Sequence, residues 1–98
     1  MRKYYSDLVT RYARLYFRKS VIAAGHDYRG TSAVEESLQY FLPKDIEVLK
    51  AIYQPVIDEY YISNQVQKVS AEKGLATETV WGLVTRLEQM VAIRCELV

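Results

Sequence analysis

Apolar side chains return every three or four residues along most of this 98-residue chain. That is the period of helices with one buried face, not the alternation of strands. Tyr5, Leu8, Val9, Tyr12, Leu15, Tyr16 and Ile22 form a first stripe and predict a long amphipathic helix. Residues 26–31, with Gly25 and Gly30 at their edges, carry turn formers and predict a loop. Ser32 and Glu35 have capping-box spacing, so a second helix is expected to start near Ala33 and turn Val34, Leu38 and Phe41 inward. Pro43 suits a first helical position, and Ile46, Leu49, Ile52 and Tyr53 continue a third stripe that stops before Pro55. Pro55 opens either a short helix or a turn carrying Val56, Ile57, Tyr60 and Tyr61, and the pattern is compatible with both.

The most specific pattern is the stretch 66–83, VQKVSAEKGLATETVWGL. Two helices crossing over a three- or four-residue turn need a small residue at the crossing and a turn position that tolerates positive φ. Ser70 and Gly74 fit those needs, and Val69, Leu75, Val80 and Leu83 have the spacing of the inward contacts. Gly74 is expected to end the first helix in a left-handed conformation. Thr77 is expected to cap the second, with Glu78 in its first turn. Val84, Leu87, Met90 and Val91 extend that second helix, and residues 93–98 either fray or pair as an edge strand. The whole predicts one all-α domain over 1–98, about five helices with a C-terminal helix-turn-helix.

This pattern resembles the helix-turn-helix of bacterial transcription regulators. The stretch 42–87, about half of the chain, resembles the C-terminal promoter-reading domain of sigma factors, an arrangement shared by some phage late-gene regulators. In that family a leucine-proline pair opens a helix of the form LPxxxxxVLxxxY, and Leu42, Pro43, Val48, Leu49 and Tyr53 match it as LPKDIEVLKAIY. The resemblance makes 42–92 a sigma-like region. It implies a DNA-binding transcriptional regulator of phage or mobile-element type that reads duplex DNA with the second motif helix in the major groove. That helix would present Ala76, Thr77, Glu78, Thr79, Trp81, Gly82 and Thr85. Thr77, Thr79, Trp81 and Thr85 would meet base edges or sugar, and Lys68, Lys73 and Arg86 would meet phosphates. Two features depart from the family. The connection 54–62, QPVIDEYYI, is longer than the usual loop, and none of the groove-facing residues is basic, although Arg and Lys are the commonest readers of guanine and phosphate.

Composition narrows the classes. Half of the residues are apolar, while glycine and proline are scarce, as suits a compact domain with a single core. No apolar run approaches the roughly 20 residues that span a bilayer. The first segment lacks a signal-peptide core, so a cytoplasmic protein with no membrane partner is expected. Cys95 has no internal partner for a disulfide, and with His26 as the lone histidine no common zinc site can be assembled. No cofactor is expected, and packing is the natural role of Cys95. Catalysis has no foundation either: there is no phosphate-cradling glycine loop or nucleophile elbow, and His26 beside Asp27 reads as a surface pair.

A net charge of +1 hides an asymmetry. Residues 1–29 hold seven Lys and Arg against Asp7 and Asp27, whereas residues 30–98 hold six basic residues against ten acidic ones. The first helix, within the basic segment 1–29, carries Arg2, Lys3, Arg11, Arg14, Arg18 and Lys19 off its apolar stripe. Three uses fit it: a core helix with a solvated basic face, a helix whose Arg11, Arg14 and Arg18 add nonspecific attraction to DNA phosphates, or one side of a homodimer that pairs with the acidic half. Trp81 fits either an interface anchor or a lid over the core. Against DNA reading stands a second function on the same scaffold, a protein-binding module engaging RNA polymerase, a sigma factor or a second copy.

Overall fold

The computed structural model describes residues 2–18, 28–55 and 61–96. It is all-helical, with five helices among the described residues: α1 Arg2–Arg18, α2 Tyr28–Leu38, α3 Pro43–Tyr53, α4 Ile62–Lys73 and α5 Thr77–Arg94. Ile22, the Gly25, His26 and Asp27 part of the expected loop, and the Val56, Ile57 and Tyr60 segment lie outside the described residues.

Each helix contributes buried side chains to one cluster. Val9, Ala13 and Phe17 come from α1, Val34 and Leu38 from α2, Val48, Leu49, Ile52 and Tyr53 from α3, Val66 and Val69 from α4, and Val80, Val84, Leu87 and Val91 from α5. α5 packs against all four other helices. Leu87 is fully buried there, and such burial is worth about 1.5–3 kcal/mol. On α1 the buried positions are Val9, Thr10, Ala13, Leu15 and Phe17, of which Val9, Ala13 and Phe17 join the cluster, while Tyr12 and Tyr16 of the expected stripe are half-buried and pack against its edge. The cluster face of α1 therefore centres on the small residue Ala13, next to Tyr12, whose ring meets Gly30 of α2 at close range.

That close range also corrects the expected start of α2. The helix begins at Tyr28, not near Ala33, so Tyr28–Thr31 is helical and the Ser32–Glu35 spacing falls inside the helix instead of capping it. A Cβ on Gly30 would lie only 2.4 Å from Cδ1 of the Tyr12 ring. The glycine that reads as a loop marker is a contact glycine, and burial of Gly30 and Thr31 against α1 extends the helix by a turn. Ser37, wholly buried, donates its hydroxyl hydrogen to the Ala33 carbonyl at 2.7 Å and so brings no unpaired polar group into the core.

α3 begins as its sequence predicts, with extended Leu42 before Pro43 at the first helical position. Its last turn is tied to α1. Arg18 Nε donates to the Gln54 carbonyl at 2.8 Å, and Gln54 Nε2 donates to the Phe17 carbonyl at 3.2 Å. Phe17 and Tyr53 stack beneath them, with ring centroids 6.4 Å apart and planes 11° from parallel. At the other end of the chain α5 continues to Arg94 and closes in a turn at Cys95 and Glu96. The fraying or edge strand expected over 93–98 is replaced by helix and turn up to Glu96. The Arg29–Glu96 ion pair at 2.8 Å and the Cys95 thiol 4.0 Å from the Arg29 carbonyl fasten this end to α2. Cys95 is buried and packs, as expected.

Two outcomes follow from this packing. Gly30→Ala should destabilise the fold by about 1–3 kcal/mol in denaturant unfolding, since Tyr12 must move to admit a methyl group. Burial, and secondarily the negative charge of Glu88, pushes the Tyr53 phenol well above its ordinary value of 10.0. The fold favours the neutral phenol, so this contribution is complete below pH 10 and is lost as the pH rises above 10 toward the raised value. Tyr53→Phe should lessen the alkaline loss of stability measured by unfolding midpoints against pH. Tyr16, also raised by burial and then by Glu35, carries part of the remainder.

Candidate nucleic-acid interface

The α4–α5 unit is built by its small residues. Ser70 is buried and donates to the Val66 carbonyl at 2.7 Å, which lets Val69 and Val80 close beside it in the core. Gly74 follows with φ 66°, the left-handed conformation its position requires, and the Leu75 N–H reaches back to the Ser70 carbonyl at 3.0 Å. This is the six-to-one bond of a Schellman termination. Three residues, Gly74 to Ala76, separate α4 from α5.

The cap of α5 differs from expectation. Extended Ala76 holds the N-cap position with no side-chain hydrogen bond, and Thr77 is the first helical residue. The Val80 N–H already bonds to the Ala76 carbonyl at 3.2 Å, so the Thr77 hydroxyl sits one residue too late to cap. Residues 71–79 are all exposed, a continuous open tip formed by the last turn of α4, the connecting turn and the first turn of α5.

Leu75 was expected to point inward but is 38% exposed, and Leu83 is only half-buried. Both line an open cleft of about 440 Å³ between the start of α3 and the α4–α5 turn, shared with Lys44, Asp45, Glu47, Val48, Lys73 and Thr79. The start of α3 faces Leu75 across the cleft without burying it, and Val69, Ser70 and Val80 are buried without it.

The residues singled out in the sequence fall in five places. Lys73 and Thr79 line the cleft. Arg86 lies seven residues from Thr79, on the same side of α5, but its Nη2 donates to the Tyr40 carbonyl at 2.8 Å and its guanidinium stands 4.4 Å over the Phe41 ring. Thr77, Trp81 and Thr85 follow one another at four-residue steps along the opposite flank of α5, where Trp81 is 36% exposed. Lys68 sits on the outer face of α4, away from Val66, Val69 and Ser70. Arg11, Arg14 and Arg18 share a face of α1, and Arg18 is held at the C-terminal end of α3 whereas the cleft opens at its N-terminal end. Eleven residues of helix at about 1.5 Å each separate the two ends. Arg18 and the α4–α5 turn are thus apart, and Arg86 is held by the α2–α3 connection.

Between the two flanks runs the outermost ridge of α5, comprising Glu78, Gly82 and Gln89. Gly82 has no atom within 4 Å of where a Cβ would stand. Mid-helix glycine costs about 1 kcal/mol relative to alanine, and among the described residues nothing repays it by close packing.

Sequence reasoning missed three features of this region. Lys44, Asp45 and Glu47 enter the cleft, and Tyr40 is exposed with Arg94 5.3 Å over its ring. Only the Leu42–Pro43 pair hinted that the start of α3 would lie near the motif. Arg94 also lies 3.8 Å from Glu36, a second link between α5 and α2.

No family model, curated protein or solved structure matches the chain. Among the described residues, no helix is long and apolar enough to cross a membrane, and no group of His, Cys, Asp and Glu is placed to hold a metal ion.

Arg86→Ala should cost about 1 kcal/mol in urea unfolding, by losing the bond to the Tyr40 carbonyl and the contact over Phe41. Lysine should restore only part of that, lacking the planar fork.

Proposed function

We propose that the protein is a DNA-binding transcriptional regulator, of phage or mobile-element type, in which α4 and α5 act as a helix-turn-helix on duplex DNA in the cytoplasm. The observation that carries this reading is the nine-residue exposed tip 71–79 on a turn set by left-handed Gly74. It leaves the N-terminus of α5, its backbone N–H groups uncapped by any side chain, open to an incoming surface.

In this reading the first turns of α5 enter the major groove. Thr77, Trp81 and Thr85 engage base edges or sugar along one flank, and Thr79 does so along the other. Lys68 and Lys73 contact phosphates, joined by Lys44 across the cleft. Arg11, Arg14 and Arg18 contribute longer-range attraction, screened beyond about 8–10 Å in physiological salt. Arg86 chiefly fixes α5 against the α2–α3 connection, and so aims the reading helix. Palindromic sites would call for a homodimer.

A second reading is favoured by one specific observation, the apolar floor of Leu75, Leu83 and Val48 beside the turn. On this reading the scaffold docks a protein, such as RNA polymerase, a sigma factor or another copy, through the cleft and Trp81.

A mobility-shift assay with random-sequence duplexes distinguishes the two. DNA reading predicts binding at low salt whose log affinity falls linearly with log salt, with Lys73→Ala reducing the slope by about 1. Failure to retard any duplex at low salt overturns it. The docking reading instead predicts that Leu75→Asp and Trp81→Ala abolish association with a protein partner while Lys73→Ala leaves it intact.

A further inference from the structure

The two glycines described inside helices have opposite surroundings. At Gly30 the fold itself forbids a side chain, because a Cβ would meet the Tyr12 ring at 2.4 Å. At Gly82 the described residues make no such demand: its φ is not left-handed, nothing beyond its chain neighbours and the backbone of its own helix comes within 4 Å of a Cβ there, and the position is exposed in the body of α5. Glycine weakens a helix and alanine strengthens it, so the absence of a side chain at 82 works against the stability of the element the whole core packs on.

What Gly82 does provide is a notch. It sits on the outer ridge, with Trp81 and Thr85 rising on one flank and Thr79 and Arg86 on the other. A missing side chain lets the helix backbone approach an external surface more closely. The flanks carry the hydroxyls of Thr79 and Thr85 and the indole N–H of Trp81, donors suited to the acceptor-rich edges of a nucleic-acid groove, while the Arg86 guanidinium is held by the Tyr40 carbonyl and the Glu78 carboxylate shares the ridge one turn before Gly82.

We infer that Gly82 is the point of closest approach between α5 and duplex DNA, setting how deeply the helix seats so that Thr79 and Thr85 reach the groove on either side. This rests on the DNA-reading proposal above and assigns to Gly82 a positioning role within it.

The test uses the full chain and the duplexes that the wild type retains from a random pool at low salt. Thermal melting and affinity are measured for wild type, Gly82→Ala and Gly82→Leu. The inference requires the alanine variant to melt about 4–8 °C higher yet bind about tenfold or more weakly. The leucine variant should be weaker still, and the salt slope should stay unchanged because no charge is altered. If the variants bind as tightly as the wild type, the positioning role is overturned while DNA reading stands. A lower melting temperature for Gly82→Ala would also overturn it, by revealing a need for glycine within the fold. If the wild type retains no duplex, the DNA reading and the role of Gly82 fall together.

Discussion

The inner stripe of α5, formed by Val80, Val84, Leu87 and Val91, is packed against all four other helices, and this burial constrains the rest of the molecule. A chain of 98 residues has little apolar surface to spare, and the helix with the most exposed tip is also the axis of the core. Its inward half cannot be altered for binding without loss of stability. Any function carried by α5 is confined to the ridge of Glu78, Gly82 and Gln89, to the two flanks beside it, and to the open N-terminal tip.

The same constraint governs how the positive charge is used. Arg18 caps the last turn of α3, Arg86 bonds to the Tyr40 carbonyl and covers Phe41, Arg94 lies over Tyr40 near Glu36, and Arg29 pairs with Glu96. In each case a guanidinium joins two segments distant in sequence, a task that its fork of donors and its flat apolar faces perform well. These four arginines serve first as fasteners between helices. The cations near the tip are lysines, Lys44 and Lys73 at the cleft and Lys68 on the outer face of α4. A surface of this kind offers only modest electrostatic attraction.

Most of the secondary structure was legible in the sequence because it follows from local rules. The period of the apolar residues marks helices, Pro43 starts α3, and Gly74 ends α4 in the left-handed conformation that a tight termination requires. Local rules failed where a distant contact outweighed them. Gly30, Ser32 and Glu35 look like a loop followed by a capping box, yet the contact of Gly30 with Tyr12 and the burial of Thr31 carry α2 back to Tyr28. Thr77 looks like a cap, yet Ala76 already holds that position. Leu75 has the spacing of a core residue but remains open at the cleft beside the start of α3, because whether a side chain is covered depends on the neighbouring helix and not on period.

The sequence by itself determined the all-helical class, the turn between α4 and α5 and the identity of most of the core, since each is encoded within a few residues of where it acts. The candidate surface was a matter for the tertiary structure. Helical period sets Thr79 on the other flank of α5 from Thr77, Trp81 and Thr85, but only the packing brought Thr79 and Lys73 to one cleft, placed Arg18 at the far end of α3, and tied Arg86 to the α2–α3 connection. It also separated two glycines that look alike in the sequence, one forced by Tyr12 and one facing open space. Charge and exposure depend on neighbours brought together from across the chain, and residue spacing carries no record of those neighbours.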